Sequence, residues 1–377
     1  MAKRQEQEPA RSEVSEVARD VLRMELPIHL PGLGHVNCYA ITDRKGAAVV
    51  DPGLPGPGTW KAIQERLARA GLRPRDVHTV IVTHSHPDHF GGAVRFAKES
   101  GARIVAHRSF HFGPFGGTEP EVSVDDLAAH HRHAHGQASG LEADGEDEEV
   151  PESLRTAMLE ASDILARARG EGRTPWGGRR PMPPFATRMR WRVARWLGQS
   201  FIPTISHPVE HGDVLELAGR EWFVVHTPGH TSDHFCLHDP DAGVMLSGDH
   251  VLPTITPHIS GIASSPDPLA SFFYSLDRVA EIRGVETVLP AHGHPFEDLA
   301  GRCEAIKRHH VERLAKVRAI SRELGPATVE AFSHRLFRPR SWGAMAESET
   351  YAHLEHLRIA GEAERHEEQG ALVYVTR

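Results

Sequence analysis

The stretch Thr83-His84-Ser85-His86-Pro87-Asp88-His89 carries three imidazoles and one carboxylate within six residues. It directly follows the apolar run 77–82, which predicts a buried strand. A strand delivers side chains rigidly to the edge of a sheet, where the chain can turn and present several of them to one point. Imidazoles and carboxylates gathered in this way are typical metal ligands. The stretch therefore predicts a metal site.

Three later segments repeat this pattern, in which a short apolar strand ends in His or Asp within a loop that contains Gly or Pro. They are Thr227-Pro228-Gly229-His230, Ser247-Gly248-Asp249-His250 and Pro290-Ala291-His292-Gly293. Because 28 of the 377 residues are His, the first stretch alone has a chance of about 1% of arising at random. The repetition argues against that explanation and adds His230, Asp249 and His292 to the candidate ligands.

The spacing of the first stretch predicts two adjacent metal positions. His84 and His86 are two residues apart, so in an extended segment their side chains leave on the same side and can share one metal. Pro87 bends the chain, which directs Asp88 and His89 to a neighbouring position.

The downstream residues complete both positions. His230 and His292 can each complete one of them, and Asp249 has two oxygens with which to bridge them. Neutral imidazoles with carboxylates favour Zn²⁺, with Fe or Mn as alternatives, and the lack of thiolate ligands argues against a purely structural zinc site.

Strands and helices alternate around these candidates. The predicted strands are 36–41, 47–50, 77–82, 102–106, 214–217, 221–225, 235–238, 244–246 and 287–289, and the predicted helices are 60–70, 91–100 and 269–283. Asp51 ends the second strand, where it either lies near the metal site or caps the following turn.

Residues 110–206 interrupt this rhythm and are interpreted as an insertion. Within it we predict a helix over 151–169, while His130, His131, His133 and His135 form either a second metal site or a solvated loop. The Arg-rich stretch 188–195, with its tryptophans, either holds an anionic substrate as a lid or forms a helix paired with the acidic run 142–152.

The composition is that of an ordinary soluble protein, with 39% hydrophobic residues, 25% charged residues and a formal charge of −8. This charge gives no general argument for a polyanionic partner. Only Cys38, Cys236 and Cys303 are present, which argues against a disulfide framework and favours a reducing cytoplasm. The first twenty residues lack an apolar signal segment and no apolar run reaches about 18 residues, so neither secretion nor membrane spanning is expected.

Seven residues, with their order and loop context, carry a resemblance to a known family: His84, His86, Asp88, His89, His230, Asp249 and His292. On this basis the chain resembles a metallo-β-lactamase fold hydrolase. The resemblance covers about residues 21–300 without the insertion. It implies an αβ/βα four-layer sandwich, an α/β fold with the metals at one edge of two facing sheets. It also implies that His84, His86 and His230 hold one metal, that Asp88, His89 and His292 hold the second, and that Asp249 bridges them. The di-iron branch of the family typically has Glu at the second His, so His86 favours the hydrolytic zinc branch.

Two adjacent cations would lower the pKa of a shared water to near 7 and supply hydroxide for hydrolysis. Asp88 either orients this nucleophile or serves only as a ligand, and with Asp249 it is our candidate for a catalytic residue. His250 and His258 are candidates for the leaving-group acid, although a supporting or surface role is the alternative for each.

Residues 301–377 are expected to form a small domain behind the hydrolase domain 21–300, and residues 1–20 a flexible N-terminus. Helices over 304–324, 326–336 and 350–360 and a β-wing over 363–376 resemble the winged-helix tail of one subgroup of the family, which includes enzymes that cut RNA. The charge of this tail is mixed, which favours packing or dimerisation over nucleic-acid binding.

The leading functional hypothesis is hydrolysis of a small carboxylic substrate, with thioesters ahead of lactones and β-lactams. The alternatives are a metal-dependent endoribonuclease or phosphodiesterase, and a metal-binding regulatory protein without turnover. A small-molecule substrate is expected, a membrane partner is not, and a homo-oligomer is left open.

Overall fold

The computed structural model describes residues 4–112, 151–178, 189, 201–262 and 265–377. Most β-strands of these residues lie in two sheets. The first has seven strands in sequence order: β1 (Val14–Ala18), β2 (Val21–Leu30), β3 (Leu33–Asp43), β4 (Gly46–Val50), β5 (Val77–Ile81), β6 (Arg103–His107) and β7 (His207–Val209). Pairing is antiparallel from β1 to β4 and parallel from β4 to β7.

The second sheet has five strands: β8 (Val214–Leu217), β9 (Arg220–His226), β10 (Phe235–Asp239), β11 (Val244–Gly248) and β12 (Thr287–Pro290). Their order across the sheet is β12, β11, β10, β9, β8, and only β11 and β12 pair in parallel.

The helices of the described residues are α1 (Pro57–Arg69), α2 (Pro87–Phe90), α3 (Ala93–Ser100), α4 (Glu152–Glu171), α5 (Pro268–Ala280), α6 (Leu299–Leu324), α7 (Val329–Leu336) and α8 (Ala344–Ile359). Short 3₁₀ turns lie at Gln5–Gln7, Pro74–Asp76 and Pro339–Ser341. None of the described helices is long and apolar enough to cross a membrane.

The side chains of each strand point alternately to the two faces of its sheet, and the apolar ones form three separate clusters. Val80 of β5 belongs to the cluster that includes α1 and α3, whereas the next residue, Ile81, shares a cluster with Trp222 of the second sheet. Met245 on the opposite face of the second sheet shares a third cluster with Phe272 of α5. The layers are therefore helix, sheet, sheet, helix, which confirms the predicted αβ/βα sandwich.

Several predicted boundaries differ from the observed ones because capping residues and prolines set them. The helix predicted at 60–70 begins at Pro57, since proline is well suited to the first helical turn. The helix predicted at 304–324 begins at Leu299, where the Asp298 side chain accepts the Gly301 N–H. The helix predicted at 91–100 is α3, which begins at Ala93, and the separate short helix α2 ends just before it at Phe90.

Residues 4–18 contribute β1 to the first sheet and contact the loop after β11, which differs from the predicted flexible N-terminus over residues 1–20. Strand β1 pairs with β2. Glu6 is buried, and its Oε1 accepts the N–H groups of Thr254 and Ile255 at 2.8 and 3.1 Å.

The C-terminal residues form α6, α7, α8 and a small sheet of β13 (Ala327–Thr328), β15 (Ala371–Thr376) and β14 (Ala363–Glu368), in that order. Val317, Phe332 and Leu354 of the three helices share one apolar cluster with Phe272 of α5. The expected boundary between residues 300 and 301 falls in the first turn of α6. The division into domains and the winged-helix assignment therefore stay predictions.

The predicted insertion helix is present as α4, which packs through Met158 and Ala161 on Ile359 of α8. The histidines at 130, 131, 133 and 135, the Arg-rich stretch 188–195 apart from Met189, and nearly all of the acidic run lie outside the described residues.

Candidate metal centre

The seven candidate ligands predicted from the sequence meet at one edge of the two sheets, each in or close to a loop that follows a strand. The ligand atoms of His84, His86, His230 and Asp249 lie within 4.8 Å of one another. The ligand atoms of Asp88, His89 and His292 form a second group, and they also lie within 4.8 Å of one another. The strands that lead into these loops are β5, β9, β11 and β12.

In the first group, nitrogen atoms of three imidazoles converge. Nε2 of His84 lies 2.9 Å from Nδ1 of His86, and Nε2 of His230 lies 3.2 Å from the same Nδ1. His86 is only partly buried, whereas His84 and His230 are buried.

Asp249 lies between the two groups. Its Oδ2 is 3.9 Å from Nε2 of His84 and 3.5 Å from Nε2 of His230 in the first group. The same oxygen is 3.6 Å from Nε2 of His89, and Oδ1 is 3.3 Å from Nε2 of His292. Asp88 Oδ2 lies 3.6 Å from the Nε2 atoms of both His89 and His292.

Hydrogen bonds on the far side of the rings orient three of these imidazoles. Nδ1 of His230 donates to the carbonyl oxygen of His258 at 2.7 Å, and Nδ1 of His292 donates to that of His35 at 2.7 Å. Nδ1 of His89 lies 2.9 Å from Oδ2 of Asp51. Because these acceptors hold a proton on Nδ1, each ring directs its Nε2 towards the cluster.

The side-chain atoms that face the space inside the cluster are suited to binding a cation. Nε2 of His89, Nε2 of His292 and Oδ1 of Asp249 are buried and have no hydrogen-bond partner among the described residues. Buried polar atoms without a partner cost free energy. Three such atoms around a space lined by imidazoles and carboxylates fit a divalent metal cation, which would take up their lone pairs.

The electrostatics of the cluster agree with this fit. Burial lowers the pKa of His84 and, together with His230, lowers the pKa of His86 to about 3, so both imidazoles are neutral. Burial opposes protonation of His89, but Asp51, Asp88 and Asp249 outweigh it and raise its pKa to about 10. The carboxylates thus draw positive charge into this space.

Asp51 lies beside the cluster, as one of the two sequence-based alternatives proposed. It adopts a positive φ of 52° at the end of β4, and its carboxylate accepts the backbone N–H and the hydroxyl of Thr83 as well as the contact from His89. The carboxylate therefore supports a candidate ligand and does not merely cap a turn.

Sequence reasoning missed His234, whose ring lies beside Asp249. Its Nε2 accepts the backbone N–H of Asp249 at 3.0 Å, and its Nδ1 lies 2.7 Å from the hydroxyl of Thr227. The sequence feature that could have identified His234 is its position four residues after His230, just before β10.

The two candidate leaving-group acids differ in their surroundings. His250 is fully buried and its ring lies 5.1 Å from that of Phe272; burial lowers its pKa to about 3, so it is neutral and poorly suited to donate a proton. His258 orients His230 through its carbonyl, and its imidazole contacts Glu349 at 3.4 Å.

Comparison with known proteins points to one family. The protein-family model described as "Metallo-beta-lactamase superfamily" matches residues 31–292. The human acyl-coenzyme A thioesterase MBLAC2 is 29% identical over 209 residues, which cover 54% of this chain and 61% of that protein. The Bos taurus protein of the same name is 25% identical over 237 residues, covering 62% of each chain. The chain thus spans about three fifths of the length of these relatives.

Solved structures extend the similarity over nearly the whole chain. A metallo-beta-lactamase family protein from Thermus thermophilus has a TM-score of 0.66 and 27% identity, covering 95% of this chain and 99% of its own. A beta-lactamase domain protein from Burkholderia ambifaria has a TM-score of 0.69 and 26% identity, covering 98% and 96%. The shared architecture therefore includes the C-terminal helices.

Proposed function

Since the chain belongs to the metallo-β-lactamase superfamily, we propose that it is a zinc-dependent hydrolase that cleaves thioesters in preference to lactones. The observation that carries the hydrolytic part is the position of Asp249, whose two oxygens face both histidine groups at 3.3–3.9 Å. The thioester is supported by the names of the relatives, which include acyl-coenzyme A thioesterases and an atrochrysone carboxyl ACP thioesterase.

Under this proposal His84, His86 and His230 hold one metal, and Asp88, His89 and His292 hold the second. Asp249 contributes to both. When bound, the cations supply a nucleophile by lowering the pKa of a coordinated water, and they act as Lewis acids on the scissile carbonyl. Zinc suits this ligand set best, and Fe or Mn are the alternatives.

Asp88 is the residue that we propose to accept the proton of the attacking water. Its Oδ2 lies 3.6 Å from both Nε2 atoms of the second group, so the carboxylate borders the space where water would be activated. Water adds to the thioester carbonyl, the carbon–sulfur bond breaks, and the sulfur leaves with the bonding electron pair.

The leaving group also favours a thioester. A thiol has a pKa of about 8.5, so a thiolate leaves without a strong acid beside it, whereas an alkoxide needs one. His250, one of the two candidate acids, is neutral and buried. A substrate whose leaving group needs little protonation agrees with these surroundings.

The alternatives have weaker support. For the endoribonuclease or phosphodiesterase, the exposed residues Glu364, Glu367 and Glu368 on β14 place negative charge where a polyanion would bind the tail. A metal-binding regulatory protein without turnover stays the alternative of another class. We also propose the domains 21–300 and 301–377, and a reducing cytoplasm, which agrees with three free, buried cysteines.

The test is a substrate panel on metal-replete protein. It compares an acyl-coenzyme A, an acyl-glutathione, a lactone, a phosphodiester and RNA, with His86→Ala and Asp249→Ala as controls. We expect the highest kcat/KM with a thioester and background rates in both variants. RNA cleavage alone, with a steep decrease at higher salt, would favour the nuclease, and absence of turnover on all five would favour the regulatory protein.

A further inference from the structure

The hydrogen bond between His230 and His258 connects the metal centre to the C-terminal helices. Nδ1 of His230 donates to the His258 carbonyl oxygen at 2.7 Å, which leaves Nε2 free to face His86 and Asp249. The position of this carbonyl therefore sets the direction in which the His230 lone pair points.

Helix α8 holds the loop that contains this carbonyl. Nδ1 of His258 lies 3.4 Å from Oε2 of Glu349, and the N–H of Gly261 donates to the hydroxyl of Ser348 at 3.0 Å. A Cβ on Gly261 would lie 2.5 Å from the Ser348 carbonyl oxygen and 2.6 Å from Cδ1 of Tyr351. The loop thus packs closely on α8 at three successive contacts.

Glu349 is itself held in place from two sides. Its carboxylate forms an ion pair with Arg313 of α6, and its backbone carbonyl accepts a hydrogen bond from Nδ1 of His353 at 2.7 Å. Burial would raise the pKa of Glu349, but the hydrogen bond with His258 and the charge of Arg313 outweigh burial and keep it low. The carboxylate is therefore ionised and rigidly placed beside His258.

We propose that Glu349 is a positioning residue for the metal centre. It anchors the His258 loop to α8, and the His258 carbonyl then orients His230 towards the first metal position. The C-terminal region would in this way form part of the hydrolytic site, besides any role in packing or dimerisation. The inference rests on the proposed metal centre but not on the identity of the substrate.

A competing interpretation is that Glu349 binds a metal of its own. Ligand atoms of His310, Glu349 and His353 lie within 4.8 Å of one another, and Nδ1 of His310 is 3.1 Å from Nε2 of His353. However, the guanidinium of Arg313 already pairs with the Glu349 carboxylate, and its positive charge would repel a cation at this point. We therefore interpret this cluster as the support of the Glu349 carboxylate.

The test measures metal binding in three full-length variants. Glu349→Ala removes the contact with His258, Glu349→Gln keeps an oxygen acceptor for it, and Arg313→Ala breaks the same ion pair while leaving Glu349 in place. Zinc affinity is measured by competition with a chromophoric chelator, the geometry by the visible spectrum of the cobalt-substituted protein, and folding by thermal unfolding.

We expect Glu349→Ala to weaken zinc binding at the first position by about tenfold, to leave the second position nearly unchanged, and to change the cobalt spectrum. Glu349→Gln should retain the wild-type spectrum. Arg313→Ala should lower the melting temperature and change the spectrum less than Glu349→Ala does, because the contact between Glu349 and His258 is kept. If Glu349→Ala does not fold, His258→Phe removes the same contact from the other side and should show the same shift.

Three results would overturn the proposal. These are an unchanged zinc affinity and spectrum in Glu349→Ala, equal losses in Glu349→Ala and Arg313→Ala, and a third zinc equivalent that Glu349→Ala and His353→Ala both abolish. None of these readouts needs a substrate. Failure of the thioesterase proposal would therefore appear only in the substrate panel, with the metal data unaffected.

Discussion

Oδ2 of Asp51 lies 2.9 Å from Nδ1 of His89, and both side chains are buried. The same oxygen accepts the hydroxyl of Thr83 at 2.8 Å, and Oδ1 accepts the Thr83 N–H at 2.9 Å. These bonds fix the carboxylate and hold the proton of His89 on Nδ1. The end of β4 thus supports the second proposed metal position without contributing a ligand to it.

We expect Asp51→Ala to weaken zinc binding at the second position by about 10–100-fold, because His89 loses the acceptor that orients it. The first position should keep its metal, since its imidazoles have other partners. Zinc content after dialysis against a chelator measures the loss. Asp43→Ala is the matched control, because this carboxylate lies in the turn at the other end of β4. Equal zinc loss in both variants would contradict the role of Asp51.

The candidate ligands could be predicted because strand ends are visible as apolar runs that stop at His, Asp, Gly or Pro. The contact between Asp51 and His89 could not, because it depends on strand register. Parallel pairing aligns Val50 of β4 with Ile81 of β5, which brings Asp51 beside Thr83 two residues further along. The sequence alone left the metal site and the turn as equal alternatives for Asp51.

The groups that orient the other imidazoles were even harder to predict from the sequence. His230 and His292 are oriented by backbone carbonyls, which every residue carries. The partner that holds the first of these loops, Glu349, lies in a helix whose predicted start was residue 350, whereas α8 begins at Ala344. Glu6, which fastens the N-terminal segment to Thr254, is one polar residue in a polar stretch.

Asp249→Ala should remove both metals, whereas His86→Ala should remove only the first. The reason is that Asp249 faces both histidine groups, while Nδ1 of His86 faces His84 and His230 of the first group. Metal content per chain is measured by elemental analysis, and we expect values near zero and near one. Asp241→Ala, at an exposed turn carboxylate, should keep the wild-type content. A single retained metal in Asp249→Ala would argue against a bridging role.

Gly229→Ala should strongly destabilise the protein and displace His230, the next residue. Gly229 has a φ of 135°, and a Cβ here would lie 2.5 Å from Cα and Cβ of Phe272 in α5. Backbone atoms cannot move aside as a flexible side chain can, so we expect a loss of at least about 3 kcal/mol. Urea unfolding measures the change, and zinc content reports on His230.

Gly212→Ala separates backbone strain from steric overlap. Gly212 also has a positive φ, 88°, but a Cβ there would meet nothing within 4 Å. It should therefore cost only about 1–2 kcal/mol, the strain of the left-handed conformation. Similar losses in the two variants would mean that the contact with Phe272 is not what makes Gly229 necessary.

Stability should fall as pH decreases below about 6.5, in part through His107 and His226, whose rings stack at 4.0 Å. Burial and the neighbouring positive charges lower the pKa of His107 to about 3 and that of His226 to about 4. The unfolded chain then binds more protons than the folded one between pH 6.5 and 4, so each imidazole lowers the free energy of unfolding by about 2 kcal/mol at pH 5.

Urea unfolding of wild type and His226→Phe at pH 7.5 and pH 5 tests this, because contributions from the carboxylates and the metal ligands cancel in the comparison. The variant keeps an aromatic ring against His107 and should lose less stability at pH 5 than wild type; equal losses would show that His226 titrates normally in the folded protein.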